Sequence, residues 1–100
     1  DAQLEKLFTA QTTNDTSKGN MITATGRELT VQGWGTWDGA SLSVYLSVDG
    51  TNGVLLNDLI LTADGMVAIQ VPSGNKVWAT LTNVSGSTNV NCWINGQGKL

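Results

Sequence analysis

The chain predicts an all-β fold: a single small β-sandwich, jelly-roll-like, of seven or eight short antiparallel strands with an amino-terminal arm. Three observations carry this. Apolar and polar residues alternate with a period close to two from Met21 onward, the pattern of strands with one buried face. Asp-Gly pairs at 38–39, 49–50 and 64–65 stand between the alternating stretches, and Asp-Gly suits tight turns whose two central residues take φ > 0. Further Gly, Pro, Asn and Ser clusters punctuate the chain at roughly the 8–12-residue spacing of sandwiches.

The elements follow in order. Residues 1–20 read as an arm leading into the domain, with residues 21–100 forming the sandwich. In the arm, Leu4, Leu7 and Phe8 stand at helical spacing, residues 9–13 look extended and residues 14–20 are polar. The apolar trio must pack either on this subunit or on a neighbour. Inward-facing sets are then Leu29 and Val31; Leu42, Val44, Leu46 and Val48; Val67, Ile69 and Val71; Val77, Ala79 and Leu81; and Val90, Cys92 and Ile94. Residues 54–61 are more continuously apolar, broken by Asn57 and Asp58, and read as a bulged strand or a loop crossing the core. Turn signals fall at Gly26, 38–39, 49–53, 64–65, 72–75 and 85–87. Jelly-roll and immunoglobulin-like topologies both fit this count, although no Cys and Trp core pair marks a true immunoglobulin domain.

Composition narrows the function classes. One hundred residues suit one domain that buries a continuous core without metal or disulfide. Charged residues make up only 13% of the chain and the net charge is −3, so no basic stripe tracks a phosphate backbone and nucleic acid is a poor partner. No apolar run approaches the roughly 18–20 residues of a membrane-spanning helix, and the amino end lacks a signal-peptide pattern, which predicts a soluble domain. The chain begins at Asp1, from which we expect residues ahead of it in the source protein; its intact mass tests this.

Aromatic placement asks for a functional explanation. With the aliphatic register inward, Trp34 groups with Thr30, Gln32 and Thr36. Tyr45 groups with Ser41, Ser43 and Ser47, Trp78 with Lys76 and Thr80, and Trp93 with Asn91 and Asn95. Trp37 stands at a turn entrance. Three readings apply: the outward rings cover a neighbouring loop or return inward through bulges, they form a subunit or partner interface, or they stack on sugar rings beside Asn, Gln and Thr donors.

Catalytic chemistry is absent from the pattern. The chain has no histidine, hence neither the usual general base near neutral pH nor the commonest transition-metal ligand. Asp38, Asp49 and Asp64 are explained as turn formers, which leaves no spare carboxylate pair, and we expect no enzyme and no cofactor. The 49–53 segment offers oxygen ligands for calcium, with Asp58 or Asp64 as further donors, but lacks the regular acidic spacing of helix-loop-helix sites. Cys92, in the inward register, reads as a small core hydrophobe. Asn14 and Asn83 each begin an Asn-x-Ser/Thr acceptor pattern.

Residues 29–48, LTVQGWGTWDGASLSVYLSV, a Gly-Asn-rich turn, and residues 61–94, LTADGMVAIQVPSGNKVWATLTNVSGSTNVNCWI, together resemble small β-rich virion proteins of tailed bacteriophages. The resemblance spans roughly residues 5–95 and consists of strand and turn cues. It implies a capsid decoration (cement) protein, or a related head or tail accessory subunit, on the capsid exterior. Its partner would be the major capsid protein lattice or another virion subunit, and a homotrimer is expected because trimers are common at shell symmetry positions. Trp34, Tyr45, Trp78 and Trp93 would then supply the interface, and Leu4, Leu7 and Phe8 the arm contacts. One competing reading is a carbohydrate-binding module, which requires at least two of those four aromatic residues on one exposed platform; another is a purely structural fibre or tail domain.

Overall fold

The computed structural model describes residues 4–25 and 28–96, apart from the side chains of Asn57 and Asp58; the turn expected at Gly26 lies outside them. The described residues form eight strands: β1 (Glu5–Gln11), β2 (Ile22–Thr23), β3 (Glu28–Thr36), β4 (Ser41–Ser47), β5 (Val54–Leu61), β6 (Gly65–Gln70), β7 (Lys76–Thr82) and β8 (Asn89–Asn95). They make two four-stranded antiparallel sheets, β1-β8-β3-β6 and β2-β7-β4-β5. Among these eight described strands, only β4 and β5 are both consecutive and paired; every other link passes between sheets. This is a jelly roll, the topology that sequence periodicity left undecided.

The turn signals therefore mark corners more often than hairpins. Asp38 and Gly39 do take positive φ, at 47° and 89°, and the Trp37 carbonyl accepts the Ala40 N–H at 2.9 Å. That tight turn nevertheless carries the chain from one sheet to the other. At 49–50 only Gly50 has positive φ, and at 64–65 neither residue does. Asp64 acts through its carboxylate instead, accepting the Gly35 N–H at 3.0 Å and the Trp37 indole N–H at 2.8 Å. It thereby joins the β5–β6 corner to the β3–β4 corner.

The expected inward register places Leu29, Val31, Leu42, Val44, Val77, Ala79, Leu81, Val90, Cys92 and Ile94 in the core. Each large aliphatic side chain so buried stabilises the fold by about 1.5–3 kcal/mol before conformational entropy is counted. Burial pushes the Cys92 thiol up to about 12, so it stays neutral and packs as a hydrophobe. Val48 departs from the register and is exposed, because β4 ends at the buried Ser47. The Ser47 hydroxyl accepts the N–H groups of Asp49 and Gly50 and donates to the Asp49 carboxylate, turning the chain there.

Residues 54–61 are a strand with a bulge. Ser43 pairs with Ile60 and Tyr45 with Leu55, so two steps along β4 face five along β5. The excess residues swing Leu59 fully into the core.

The amino-terminal segment differs from the expected arm. Residues 5–11 are an integral strand paired with β8, and Leu7 and Phe8 lie in this subunit's core while Leu4 remains exposed. Two bulges explain the misleading helical spacing. Between Lys6 and Phe8 the register slips by one residue against Trp93 and Cys92, which lets consecutive side chains both point inward. A second slip lies between Phe8 and Gln11, where Ala10 takes φ 51° and its N–H donates to the Asn91 side chain. Such irregularity also makes β1 a poor template for further strand pairing.

Candidate binding faces

The four singled-out aromatic residues form two pairs on opposite outer surfaces of the sandwich, not one platform. In the first sheet, Gln32 pairs with Trp93 and Trp34 with Asn91 across β3 and β8. The Trp34 and Trp93 rings meet edge to face, centroids 5.0 Å apart at 75°. The Lys6 ammonium lies 4.5 Å from the Trp93 ring centre, and the Trp93 indole donates to the Thr9 hydroxyl at 3.3 Å. Both indoles remain half-exposed, and the exposed Leu4 and Met66 join Thr30, Gln32, Trp93 and Asn95 around a shallow cleft beside them. Of the apolar trio at the amino end, only Leu4 contributes to this surface.

In the second sheet, Tyr45 and Trp78 are direct cross-strand partners on β4 and β7, stacked nearly parallel at 5.6 Å. Trp78 points outward from its strand yet is only 3% exposed. Of the three readings of the outward aromatics, covering a neighbouring loop applies to Trp78. The 49–53 turn lies across its ring so closely that a Cβ at Gly53 would sit 2.5 Å from the indole. The Lys18 ammonium lies 4.9 Å from the ring centre and donates to the Gly50 and Thr51 carbonyls, pinning the turn.

Asp49 organises that turn. Its Oδ1 accepts the N–H groups of Thr51 and Asn52 as well as the Ser47 hydroxyl, and its Oδ2 accepts the Asn52 amide. These bonds, those from the Asn52 and Thr51 backbones foremost, hold its carboxyl well below the ordinary carboxylate range. Both oxygens are thus engaged as turn acceptors. Among the described residues, no group of three or more Asp, Glu, His or Cys gathers as a cation site. Asp64 serves the corner described above, and the side chain of Asp58 lies outside the described residues.

The depressed value has a pH consequence. A carboxyl with a lower pKa folded than unfolded contributes stability above its unfolded value, here near 3.8, and loses it as pH falls through the folded value. Urea denaturation repeated from pH 5 downward is expected to show falling stability below pH about 4. Asp49→Asn removes part of that slope, and Asp15, lowered by its hydrogen bonds from Ser17, retains the rest. An unchanged slope in the variant contradicts the assignment.

Beside the stacked pair runs an open trough of about 380 Å³, lined by Thr16, Lys18, Ser43, Tyr45, Thr51, Gly53, Trp78, Thr80 and Thr82. Its floor is the outer face of β4 and β7, where Ser43 pairs with Thr80 and Ser41 with Thr82. One wall is the 14–20 segment, fastened along β7 by an Asp15–Leu81 bridge and by the Asn20 side chain, which bonds both backbone groups of Ala79. Sequence periodicity places Ser41, Ser43 and Thr80 outward but carries no sign that distant segments enclose them. The acceptor-pattern Asn14 lies here too, its side chain receiving the Val84 N–H.

Comparison with known proteins gives a fold likeness only. No family model and no curated protein matches the chain. Among solved structures, the crystal structure of SPBc2 prophage-derived protein YomS is similar with a TM-score of 0.64 at 18% identity, covering 94% of this chain and 92% of that one. At that identity what the two share is the fold, nearly end to end.

Proposed function

We propose that this chain is a non-enzymatic bacteriophage virion protein, a capsid decoration subunit that binds the assembled head and stabilises it. The observation that carries the reading is the near end-to-end fold likeness to a prophage-derived protein, which agrees with the resemblance of its strand and turn sequences to tailed-phage virion proteins. The attachment surface in this reading is the outer face of the first sheet. Half-exposed Trp34 and Trp93, with Leu4 and Met66 alongside, are the aromatic and apolar anchors that dominate interfaces, and their Thr, Asn and Gln neighbours supply a neutral polar rim. A homotrimer at a shell symmetry position is the assembly we favour, with the major capsid protein as partner. Stabilisation follows from mass action: a ligand that binds only the closed shell raises the free energy of opening it.

Particles purified from the phage that encodes the chain are expected to contain it by mass spectrometry. The Trp34→Ala/Trp93→Ala double variant is expected to fold and to attach at least about thirtyfold more weakly, the equivalent of one 2 kcal/mol anchor. Absence from particles rejects the virion role. Undiminished attachment by the variant rejects this face.

A further inference from the structure

We infer that the trough on the second sheet is a binding site for a neutral glycan. The argument begins with Thr80. It is only 8% exposed, yet its hydroxyl makes no hydrogen bond within the described residues and lines the trough. Among the described residues no enclosed side-chain oxygen is left without a partner, so this hydroxyl opens onto the trough, where water or a ligand meets it. The hydroxyls of Thr16, Ser43, Thr51, Thr82 and Tyr45 also line the trough without an intramolecular partner among the described residues. Six residues of the lining thus carry hydroxyls with no intramolecular partner among the described residues.

Hydroxyls both donate and accept, which matches the mixed donors and acceptors around a sugar ring. Tyr45 adds an apolar ring surface held rigid by its stacking on Trp78. Pockets for small ligands usually exceed about 300 Å³ and combine such a surface with a few convergent polar groups, so a volume of about 380 Å³ suits one or two sugar units. Charge argues against an anionic ligand. Lys18 is the lone charged residue of the lining among the described residues, and its ammonium is already committed to two carbonyls and the Trp78 ring. This surface lies opposite the Trp34–Trp93 face, so the inference stands or falls independently of the attachment reading.

The test is titration of the whole chain, followed by tryptophan fluorescence and calorimetry. Probes are hexasaccharides of glucose, galactose, mannose and N-acetylglucosamine, with heparin as the anionic control. At least one neutral probe is expected to bind. Thr80→Val, which preserves shape and removes the hydroxyl, is expected to weaken binding about fivefold, the worth of one neutral hydrogen bond. Tyr45→Ala is expected to weaken it about tenfold or more, whereas Trp34→Ala leaves it unchanged. Thermal melting checks that each variant folds, and Ser43→Ala on the exposed side of the floor serves if Thr80→Val does not. No neutral binding at about 10 mM probe, binding by heparin alone, or binding that survives both trough substitutions but not Trp34→Ala each overturns the proposal.

Discussion

Phe8→Ala is expected to cost about 3–5 kcal/mol of folding stability, the usual penalty for deleting a buried phenylalanine ring. Phe8 is 3% exposed and packs with Leu7 into the core shared by both sheets. Domains of this size have only about 5–15 kcal/mol in total, so the variant lies near the limit of folding and its melting temperature falls by more than about 12 °C. Deleting residues 1–11 is expected to go further, because it also exposes the edge of β8 and the aliphatic side chains beneath β1. Thr12→Ala, an exposed change just beyond the strand, is the control and stays within about 0.5 kcal/mol. Urea denaturation measures all three. A truncated chain that unfolds cooperatively at wild-type urea concentrations would return this segment to the status of a detachable arm.

Trp37→Ala is expected to cost a similar amount, about 3–5 kcal/mol. Trp37 fills the β3–β4 corner, and its indole N–H is held by Asp64 from the β5–β6 corner. The Thr88 hydroxyl donates to its carbonyl, which ties in the β7–β8 link as well. Three connections between the sheets thus meet at this residue. Trp37→Phe separates the contributions: it keeps most of the buried ring and gives up the hydrogen bond. Its expected cost is about 1 kcal/mol, limited because water hydrates the exposed Asp64 carboxylate. Equal losses in the two variants would mean that the hydrogen bond, not the packing, dominates this corner.

Both results turn on features that local sequence patterns reach unevenly. Trp37 stood at a turn entrance without an assignable face, because its burial depends on Asp64, 27 positions away. For Phe8 the sequence leaves the packing partner open, because a bulge rotates consecutive residues onto the same side and imitates helical spacing. Trp78 shows the converse. Its outward register was legible, but its burial comes from Gly53 and Lys18, which arrive from other parts of the chain. The unengaged hydroxyls of Ser43 and Thr80 are likewise readable as an outer face, while the walls that make a trough of it are not.

By itself the sequence determined that the protein is all-β, most of the aliphatic side chains that point inward and most of the places where the chain turns. Alternation of period two and the backbone preferences of Asp-Gly act within a few residues, so they are written locally. Tertiary structure alone decided that the corners cross between sheets as a jelly roll, that β1 belongs to the core, and that the aromatic residues split into two opposed faces. Those outcomes rest on pairings between strands distant in the chain, such as β1 with β8 and β3 with β6, whose free energy comes from burying two faces against each other and leaves no periodic mark on either strand alone.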